Sequence, residues 1–219
     1  MCIRDSLKTT KPSILFHLAA QPLVRESFDE PLQTFETNIL GTAKVIKAAL
    51  EVDTIECIVV ITSDKCYKNQ EQMKGYCEED PLGGDDPYSA SKAATEIVSQ
   101  SFRKSFMENS GKNLATVRAG NVIGGGDWAE NRIVPDCIQA WSKNEIVELR
   151  NPSSTRPWQH VLDVLNGYML LMQKTFKNNG EFDLVIMSNH RVDLNIKHVL
   201  GDVTHKIAKR SSVPVLIVK

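Results

Sequence analysis

The sequence has no long apolar run and no excess of charge of one sign. Its longest apolar stretches, such as Cys57–Ile61, have the length of a buried strand, and its N-terminus lacks the apolar core of a signal peptide. The 26 basic and 27 acidic residues are intermixed and leave a formal net charge of −1. Because such a surface attracts neither nucleic acid nor an anionic membrane, we expect neither as a main partner and expect a cytoplasmic protein.

The cysteines are odd in number and irregularly spaced. The chain has five cysteines, an odd number, with no CxxC or other metal-type spacing. This pattern fits reduced thiols in a reducing compartment, and we expect no disulfide framework and no metal site. The 219 residues, 42% of them hydrophobic, are enough to bury a core as one large domain.

The sequence also lacks the GxGxxG turn, followed directly by a helix, that binds dinucleotides. Three consecutive glycines, Gly124 to Gly126, follow a predicted strand but do not have that spacing. They predict a close approach of the backbone to a neighbouring group.

Apolar spacing predicts an α/β chain. Strands are predicted at residues 13–16, 56–61, 114–118, 146–149, 183–187 and 213–218. Helices are predicted at residues 32–52, 88–109, 133–141 and 194–209, and from residue 161 onward. The polar stretch 67–87 reads as a long loop, and a loop of this length in a compact domain is usually functional or mobile.

Tyr88 and Lys92 stand four residues apart at the predicted start of a long helix. Their side chains then share one helix face, with Cβ atoms about 6 Å apart. The cation can hold the phenol partly ionised, and a phenolate can take a proton from a sugar hydroxyl while a cofactor accepts hydride. The pair alone is a weak signal, because this spacing also occurs on many solvated helices.

Small or polar residues follow two of the predicted strands, at the carboxyl ends where open α/β sheets bind ligands. Residues 18–21 allow a cofactor to approach the backbone, or simply allow tight packing. Residues 62–65 place a hydroxyl, a carboxylate and an amine in succession, although Ser-Asp is also common turn chemistry. Arg156 could clamp a phosphate or form an ordinary surface ion pair.

Six motifs then occur in one order, namely HLAAQ at 17–21, NxxGT at 38–42, TSDK at 62–65, YSASK at 88–92, RAGNVIGGGD at 118–127 and RPWQHV at 156–161. Over roughly residues 13–180 they resemble the extended short-chain dehydrogenase/reductase superfamily and, within it, the nucleotide-sugar 4,6-dehydratases. The resemblance implies an incomplete Rossmann-like, doubly wound parallel sheet with a C-terminal β-α-β unit. It also implies NAD as cofactor and a nucleotide sugar as substrate.

The resemblance assigns binding residues. Those that would line or support the NAD site are Ala19, Ala20, Gln21, Asn38, Tyr88 and Lys92. Of these, Asn38 would act indirectly through the local backbone, and Lys92 would bind the nicotinamide ribose. Those that would hold the nucleotide diphosphate are Asn121, Asn131, Arg132 and Arg156.

The resemblance also assigns chemical roles. Tyr88 would remove the 4-hydroxyl proton of the sugar, Lys92 would lower the phenol pKa, and Ser63 would hydrogen-bond the reacting oxygen. Oxidation at C4 acidifies the C5 proton, so loss of the C6 hydroxyl needs one base and one acid. Asp64 would be the acid and Lys65 the base, and burial would move the pKa of each in the required direction.

The Asp64-Lys65 pair separates the possible substrates and reactions. Related dehydratases have Asp-Glu here, whereas Asp-Lys favours CDP-glucose, which would yield a 4-keto-6-deoxy sugar for surface polysaccharide such as O-antigen. The alternatives are an NAD-dependent epimerase or another sugar 4,6-dehydratase. A third, from another class, is a non-catalytic nucleotide-binding protein of the stress-protein type.

Two departures shape the expected domain organisation. Residues 1–181 would form a partial epimerase/dehydratase domain without its glycine-rich first β-α unit, while residues 182–219 resemble the C-terminal part of a universal stress protein. We therefore expect a chain truncated at both ends that binds NAD weakly and has negligible turnover by itself. The helices predicted at 38–52 and 88–106 permit a homodimer.

Overall fold

The computed structural model describes residues 3–70, 75–178 and 184–186. The strands are β1 (Ile14–His17), β2 (Cys57–Ile61), β3 (Asn113–Ala119), β4 (Asn121–Ile123), β5 (Trp158–His160) and β6 (Leu184–Ile186). A four-stranded parallel sheet has the order β1-β2-β3-β6, and β4 pairs with β5 in a separate parallel ribbon.

Helices join the strands. They are α1 (Ile3–Thr10), α2 (Val24–Asp29), α3 (Pro31–Phe35), α4 (Gly41–Leu50), α5 (Pro87–Phe102), α6 (Ile133–Ser142) and α7 (Val161–Asn178). A π-helical turn, Glu36–Leu40, links α3 to α4, and a second, Arg103–Met107, extends α5. Within the described residues no helix is long and apolar enough to cross a membrane.

The sheet is covered on both faces, which explains why β2 reads as an unbroken apolar run. One face of β2 and β3 packs on α7 through Val164, Tyr168 and Leu171. The other face packs on α4 through Ile46 and Ala49. The structure thereby confirms the predicted Rossmann-like, doubly wound α/β architecture.

Helix α5 is buried through a polar face. The sequence predicts an apolar face of α5 that includes Ile97 and Phe106, yet these side chains are 56% and 59% exposed. The buried side carries hydroxyl groups, and Thr95 Oγ1 lies within hydrogen-bond distance of the backbone oxygens of Asn38 (3.0 Å) and Ser91 (2.8 Å). The prediction is wrong for Ile97 and Phe106, whereas Ala93 on the same predicted face is buried and Phe102 packs against the core. The hydroxyl groups can be buried because they hydrogen-bond within the protein.

One local prediction also fails. Residues 146–149 form no strand, and Ile146 is 91% exposed. At the N-terminus, residues 3–5 begin α1, whose Leu7 joins the core cluster that includes Ile46. Strand β5 was not predicted from the sequence, since a three-residue strand leaves little periodicity to detect.

The predicted helix 194–209 and strand 213–218 lie outside the described residues. So does nearly all of the stretch 182–219 that resembles a stress protein, of which only β6 is described. That assignment, and the domain boundary near residue 181, stay predictions.

Of the three glycines that follow β4, Gly124 is needed for packing within the protein. A Cβ atom on Gly124 would lie 2.7 Å from Val161 Cγ1, and Gly126 has a φ of +85°, which favours glycine. The predicted close approach at Gly124 therefore occurs between β4 and the start of α7.

Candidate active site

A cavity of about 520 Å³ opens where β2 and β3 end. The predicted residues that line it are Ser63, Asp64, Lys65, Tyr88, Asn121, Arg132 and Arg156. Parallel strands bring these distant segments together, because their carboxyl ends meet at one edge of the sheet. The predicted acid–base residues and three of the four predicted diphosphate contacts thus share one cavity.

Ser63 lies between the carboxyl of Asp64 and the phenol of Tyr88. It precedes a single 3₁₀ turn, and its hydroxyl accepts a hydrogen bond from the Lys65 amide (3.2 Å). The same hydroxyl donates to Asp64 Oδ1 at 3.1 Å and is hydrogen-bonded to Tyr88. Ser63 therefore holds the Asp64 carboxyl and the Tyr88 phenol near each other at the carboxyl end of β2.

The surroundings of the Asp64 carboxyl favour its protonated form. Burial raises its pKa, and this outweighs the Ser63 hydrogen bond and the charges of Lys65 and Arg156, which lower it. A carboxyl with a raised pKa keeps a proton closer to neutral pH. That direction is the one required of a general acid.

Tyr88 is fixed by a well-capped helix start. Asp86 accepts a hydrogen bond from the Ser89 amide (2.9 Å), and Pro87 occupies the first turn. Tyr88 is 8% exposed, and burial raises the pKa of its phenol against the lowering effect of the Ser63 hydrogen bond. Burial of the phenol thus outweighs the interactions that favour the phenolate, and the lowering of this pKa by Lys92 stays a prediction.

The Lys92 ammonium lies behind the cavity wall. Its Nζ is 5.9 Å from the centroid of the Tyr88 ring and donates to the Ile61 carbonyl at 3.4 Å. Burial lowers its pKa to about 8, while the Glu96 carboxylate and Cys66 act in the opposite direction. Such an amine is close to its titration range at physiological pH.

Replacing Lys92 by Met is expected to stabilise the chain at pH 7 by about 1–3 kcal/mol, because the buried charge is removed. The folded pKa, about 8, lies below the ordinary 10.5, so the penalty is complete below pH 8 and fades as the pH rises towards 10.5. Urea unfolding of both proteins at pH 7 and pH 10 measures the difference. Lys104→Met, at an exposed position, is the control, and a loss of stability in Lys92→Met at pH 7 would contradict the prediction.

Three of the predicted NAD residues, Ala19, Ala20 and Gln21, lie after β1 and are not among the described residues that line the cavity. Ala19 is exposed and Ala20 half-buried, so the backbone there is accessible to a ligand. Gln21 and Asn38 are buried, and Asn38 Oδ1 accepts from the Gln21 amide (2.8 Å) while its Nδ2 donates to the Gln21 carbonyl (3.1 Å). The two carboxamides thus hold the backbone of this segment, an arrangement that fits a cofactor bound against Ala19 and Ala20.

The predicted diphosphate residues have different partners. Arg132 forms an ion pair with Asp127 at 2.6 Å, and Arg156 donates to the Thr155 carbonyl at 2.8 Å. Asn131 has a φ of +64° and accepts from Arg150 Nη1 at 2.9 Å; it is not among the described residues that line the cavity. Arg150 lines the cavity itself and was not predicted, because no motif marks it in the sequence.

A buried ion pair beneath the cavity was also missed. Arg118 Nη2 lies 2.9 Å from Glu96 Oε2, and both side chains are about 95% buried. The sequence held one signal for Glu96: it follows Lys92 by four residues, which places the two side chains on the same helix face. Its partner on β3 could not be identified from spacing alone.

Comparison with known proteins identifies the family of the chain. The sequence model of the family described as GDP-mannose 4,6 dehydratase matches residues 1–215. A protein of Salmonella typhimurium described as CDP-glucose 4,6-dehydratase is 48% identical over 185 residues, which are 82% of this chain and 52% of that protein. The chain thus spans about half the length of this curated relative.

Solved structures share the fold. The structure of MoeE5 in complex with UDP-glucose and NAD superposes with a TM-score of 0.75 at 24% identity, over 99% of this chain and 68% of that one. DesIV, a dTDP-glucose 4,6-dehydratase from Streptomyces venezuelae solved with NAD and TYD, gives a TM-score of 0.72 at 20% identity, over 84% and 54%. At these identities the similarity establishes the fold alone.

Proposed function

The chain belongs to the GDP-mannose 4,6-dehydratase family, and on that premise we propose that it carries the acid–base and substrate-binding part of a site that dehydrates CDP-glucose to CDP-4-keto-6-deoxyglucose. The observation that supports this proposal best is the single cavity shared by Asp64, Lys65, Tyr88 and two arginines, Arg132 and Arg156. An oxidation followed by an elimination needs acid–base groups and diphosphate contacts of this kind within reach of one sugar.

The arginines supply the substrate contacts. Arg132 and Arg156 present planar guanidinium groups to the cavity, and such groups match the oxygens of a diphosphate. Asn121, at the start of β4, adds an amide to the same wall. Asn131 contributes indirectly, through its contact with Arg150.

Ala19, Ala20 and the Lys92 ammonium would hold NAD, with Gln21 and Asn38 fixing the backbone beneath it. When bound, NAD supplies the chemistry of hydride acceptance from the sugar and hydride return to it. Tyr88 takes the proton of the 4-hydroxyl, and Ser63, whose hydroxyl lies 3.1 Å from Asp64 Oδ1, orients the oxygen of that hydroxyl.

The elimination is divided between neighbouring side chains. Lys65 removes the proton at C5, and Asp64 protonates the departing hydroxyl at C6. The raised pKa of Asp64 suits its part, because a carboxyl that stays protonated can act as the acid. The adjacent positions in one turn place the acid and the base on the same sugar.

Mass spectrometry of CDP-glucose incubated with NAD tests the function. Because the chain spans about half of the Salmonella relative, the assay uses both the chain itself and a hybrid enzyme, meaning the Salmonella protein with this chain's sequence over the aligned segment. Loss of water from the sugar by the hybrid is the expected result. Inversion at C4 without loss of water would favour an epimerase, and no reaction in a folded hybrid would overturn the proposal.

Exposed apolar side chains on the helices beside the site suggest a homodimer. Leu32 and Leu40 are 75% and 51% exposed, and Ile97 and Phe106 on α5 and its extension are also largely exposed. We propose that these surfaces meet in a second copy of the chain. The cytoplasmic location and the role in surface polysaccharide stay predictions.

Ile97→Glu is expected to shift the chain from dimer to monomer, because it places a charge within the proposed apolar contact. Sedimentation velocity over a range of protein concentrations measures the shift. Ile138→Glu on α6, which is 43% exposed, is the matched control and should leave the oligomeric state unchanged. Equal behaviour of the two variants would reject this surface as the interface.

A further inference from the structure

The buried ion pair between Glu96 and Arg118 joins α5 to β3 directly beneath the candidate site. Glu96 accepts hydrogen bonds from Arg118 Nη2 (2.9 Å), from Thr116 Oγ1 (2.8 Å) and from Thr62 Oγ1. Thr62 immediately precedes Ser63, and its hydroxyl also lies 3.0 Å from the Val117 carbonyl. The Glu96 carboxylate therefore holds Thr62 in place, at the point where the chain leaves β2. The segment that follows, residues 63–66, is called the acid–base turn below.

Arg118 reaches the other end of the same turn. Its Nη1 donates to the hydroxyl of Tyr67 at 3.0 Å and to the carbonyl of Glu78 at 3.2 Å. The guanidinium carbon lies 5.1 Å from the centroid of the Tyr67 ring, and that ring stacks on Tyr76 at 4.9 Å. The pair thus contacts the residue before Ser63 and the residue after Cys66, as well as the loop beyond.

Glu96 also follows Lys92 by four residues on α5, so the two buried side chains share one helix face. The titratable and charged groups around the Lys92 amine are Glu96 and Tyr88 on its own helix, Cys66 on the acid–base turn and His17 on β1. Glu96 is the strongest of these groups in favouring the charged amine, against the effect of burial. The Glu96 carboxylate therefore acts on the acid–base turn, through Thr62, and on Lys92 in the helix that carries Tyr88.

We propose that Glu96 and Arg118 are positioning residues, whose buried ion pair holds the turn with Ser63, Asp64 and Lys65 against the helix that carries Tyr88 and Lys92. The roles of the positioned groups rest on the function proposed above. The positioning itself is a property of the chain and can be measured without cofactor or substrate.

Stability alone does not account for such a pair. Removing two charges from water is costly, and a well-packed neutral pair of similar volume often serves folding equally well. Each member removed singly leaves the other charge buried without its partner, which is destabilising. A double replacement therefore separates the effect on stability from the effect on the site.

The test compares Glu96→Gln, Arg118→Met and the double variant in the full chain. In Glu96→Gln the pKa of Lys92, followed by the ¹³Cε shift in lysine-labelled protein, is expected to fall by about one unit, because a nearby negative charge is lost. Amide hydrogen exchange at residues 63–67 is expected to become about tenfold faster in all three variants. The Lys92 signal is assigned with Lys92→Met.

The double variant separates positioning from a merely structural role. It is expected to regain stability relative to either single variant while the Lys92 pKa stays lowered and the exchange stays fast. Ser99→Ala, a buried position on the same helix, is the control and should change neither quantity. An unchanged Lys92 pKa in Glu96→Gln, or recovery of both site measurements in the double variant, would overturn the proposal.

The measurement of the Lys92 pKa does not depend on whether the hybrid enzyme dehydrates CDP-glucose. A hybrid enzyme that does not dehydrate CDP-glucose, together with a lowered Lys92 pKa in Glu96→Gln, would reject the function and leave the positioning intact. Dehydration by the hybrid together with an unchanged Lys92 pKa would do the reverse.

Discussion

Tyr88→Phe in the hybrid enzyme is expected to lower the rate of CDP-glucose conversion by about 10²- to 10⁴-fold, the usual contribution of a positioned proton acceptor. Phenylalanine keeps the ring that is buried at the start of α5 and removes only the hydroxyl that is hydrogen-bonded to Ser63. The affinity for CDP-glucose should therefore change little. Steady-state rates and equilibrium binding of the sugar nucleotide measure the two effects separately.

Tyr168→Phe is the matched control. Tyr168 is 5% exposed, and it packs in the core on α7 away from the cavity lining. Its replacement should leave the rate within a few-fold of the parent hybrid. A Tyr88→Phe hybrid that remains as active as Tyr168→Phe would show that another group removes the 4-hydroxyl proton.

Asp64→Asn is expected to separate the two halves of the elimination. Asparagine cannot supply a proton, so loss of water should fall by about 10²-fold or more, while Lys65 can still remove the C5 proton. In heavy water the substrate is expected to acquire deuterium at C5 without losing the C6 hydroxyl. Mass spectrometry and proton NMR of the recovered sugar detect this partial reaction.

Lys65→Met provides the contrasting variant, in which neither exchange nor loss of water is expected. The pH dependence of water loss tests the role of Asp64 as the acid. Because burial raises the Asp64 pKa, acid catalysis should decline as the pH rises through that raised value. Water loss that persists in Asp64→Asn, or that increases with pH over that range, would remove Asp64 from the role of acid.

The fold could be predicted from the sequence where burial imposes a simple pattern. Strand β2 is apolar throughout because both of its faces are covered, and the start of α5 is marked by Asp86 and Pro87. The strand predicted at residues 146–149 failed because this short, largely apolar segment has no described strand beside it. Periodicity records which side chains could be buried and does not identify the neighbour that buries them.

The site was predictable only where contacts are local. Ser63, Asp64 and Lys65 are consecutive, and Tyr88 and Lys92 share a helix face, so spacing alone brought each group together. The pairing of Glu96 with Arg118 joins a helix to a strand 22 residues later along the chain and is set by how α5 crosses the sheet. The burial that raises the Tyr88 pKa likewise depends on the whole fold.

The π-helical turn at Glu36–Leu40 gives Asn38 its place in the molecule. Such a turn contains one residue more than a regular helical turn. A one-residue deletion elsewhere in α4 would rotate the following side chains by roughly 100° and move Ile46 and Ala49 out of the core. A deletion within the turn would restore a regular helix and spare that core. Homologous chains should therefore vary in length at this turn rather than along α4, and those with the shorter form should lack the amide that clamps the segment after β1.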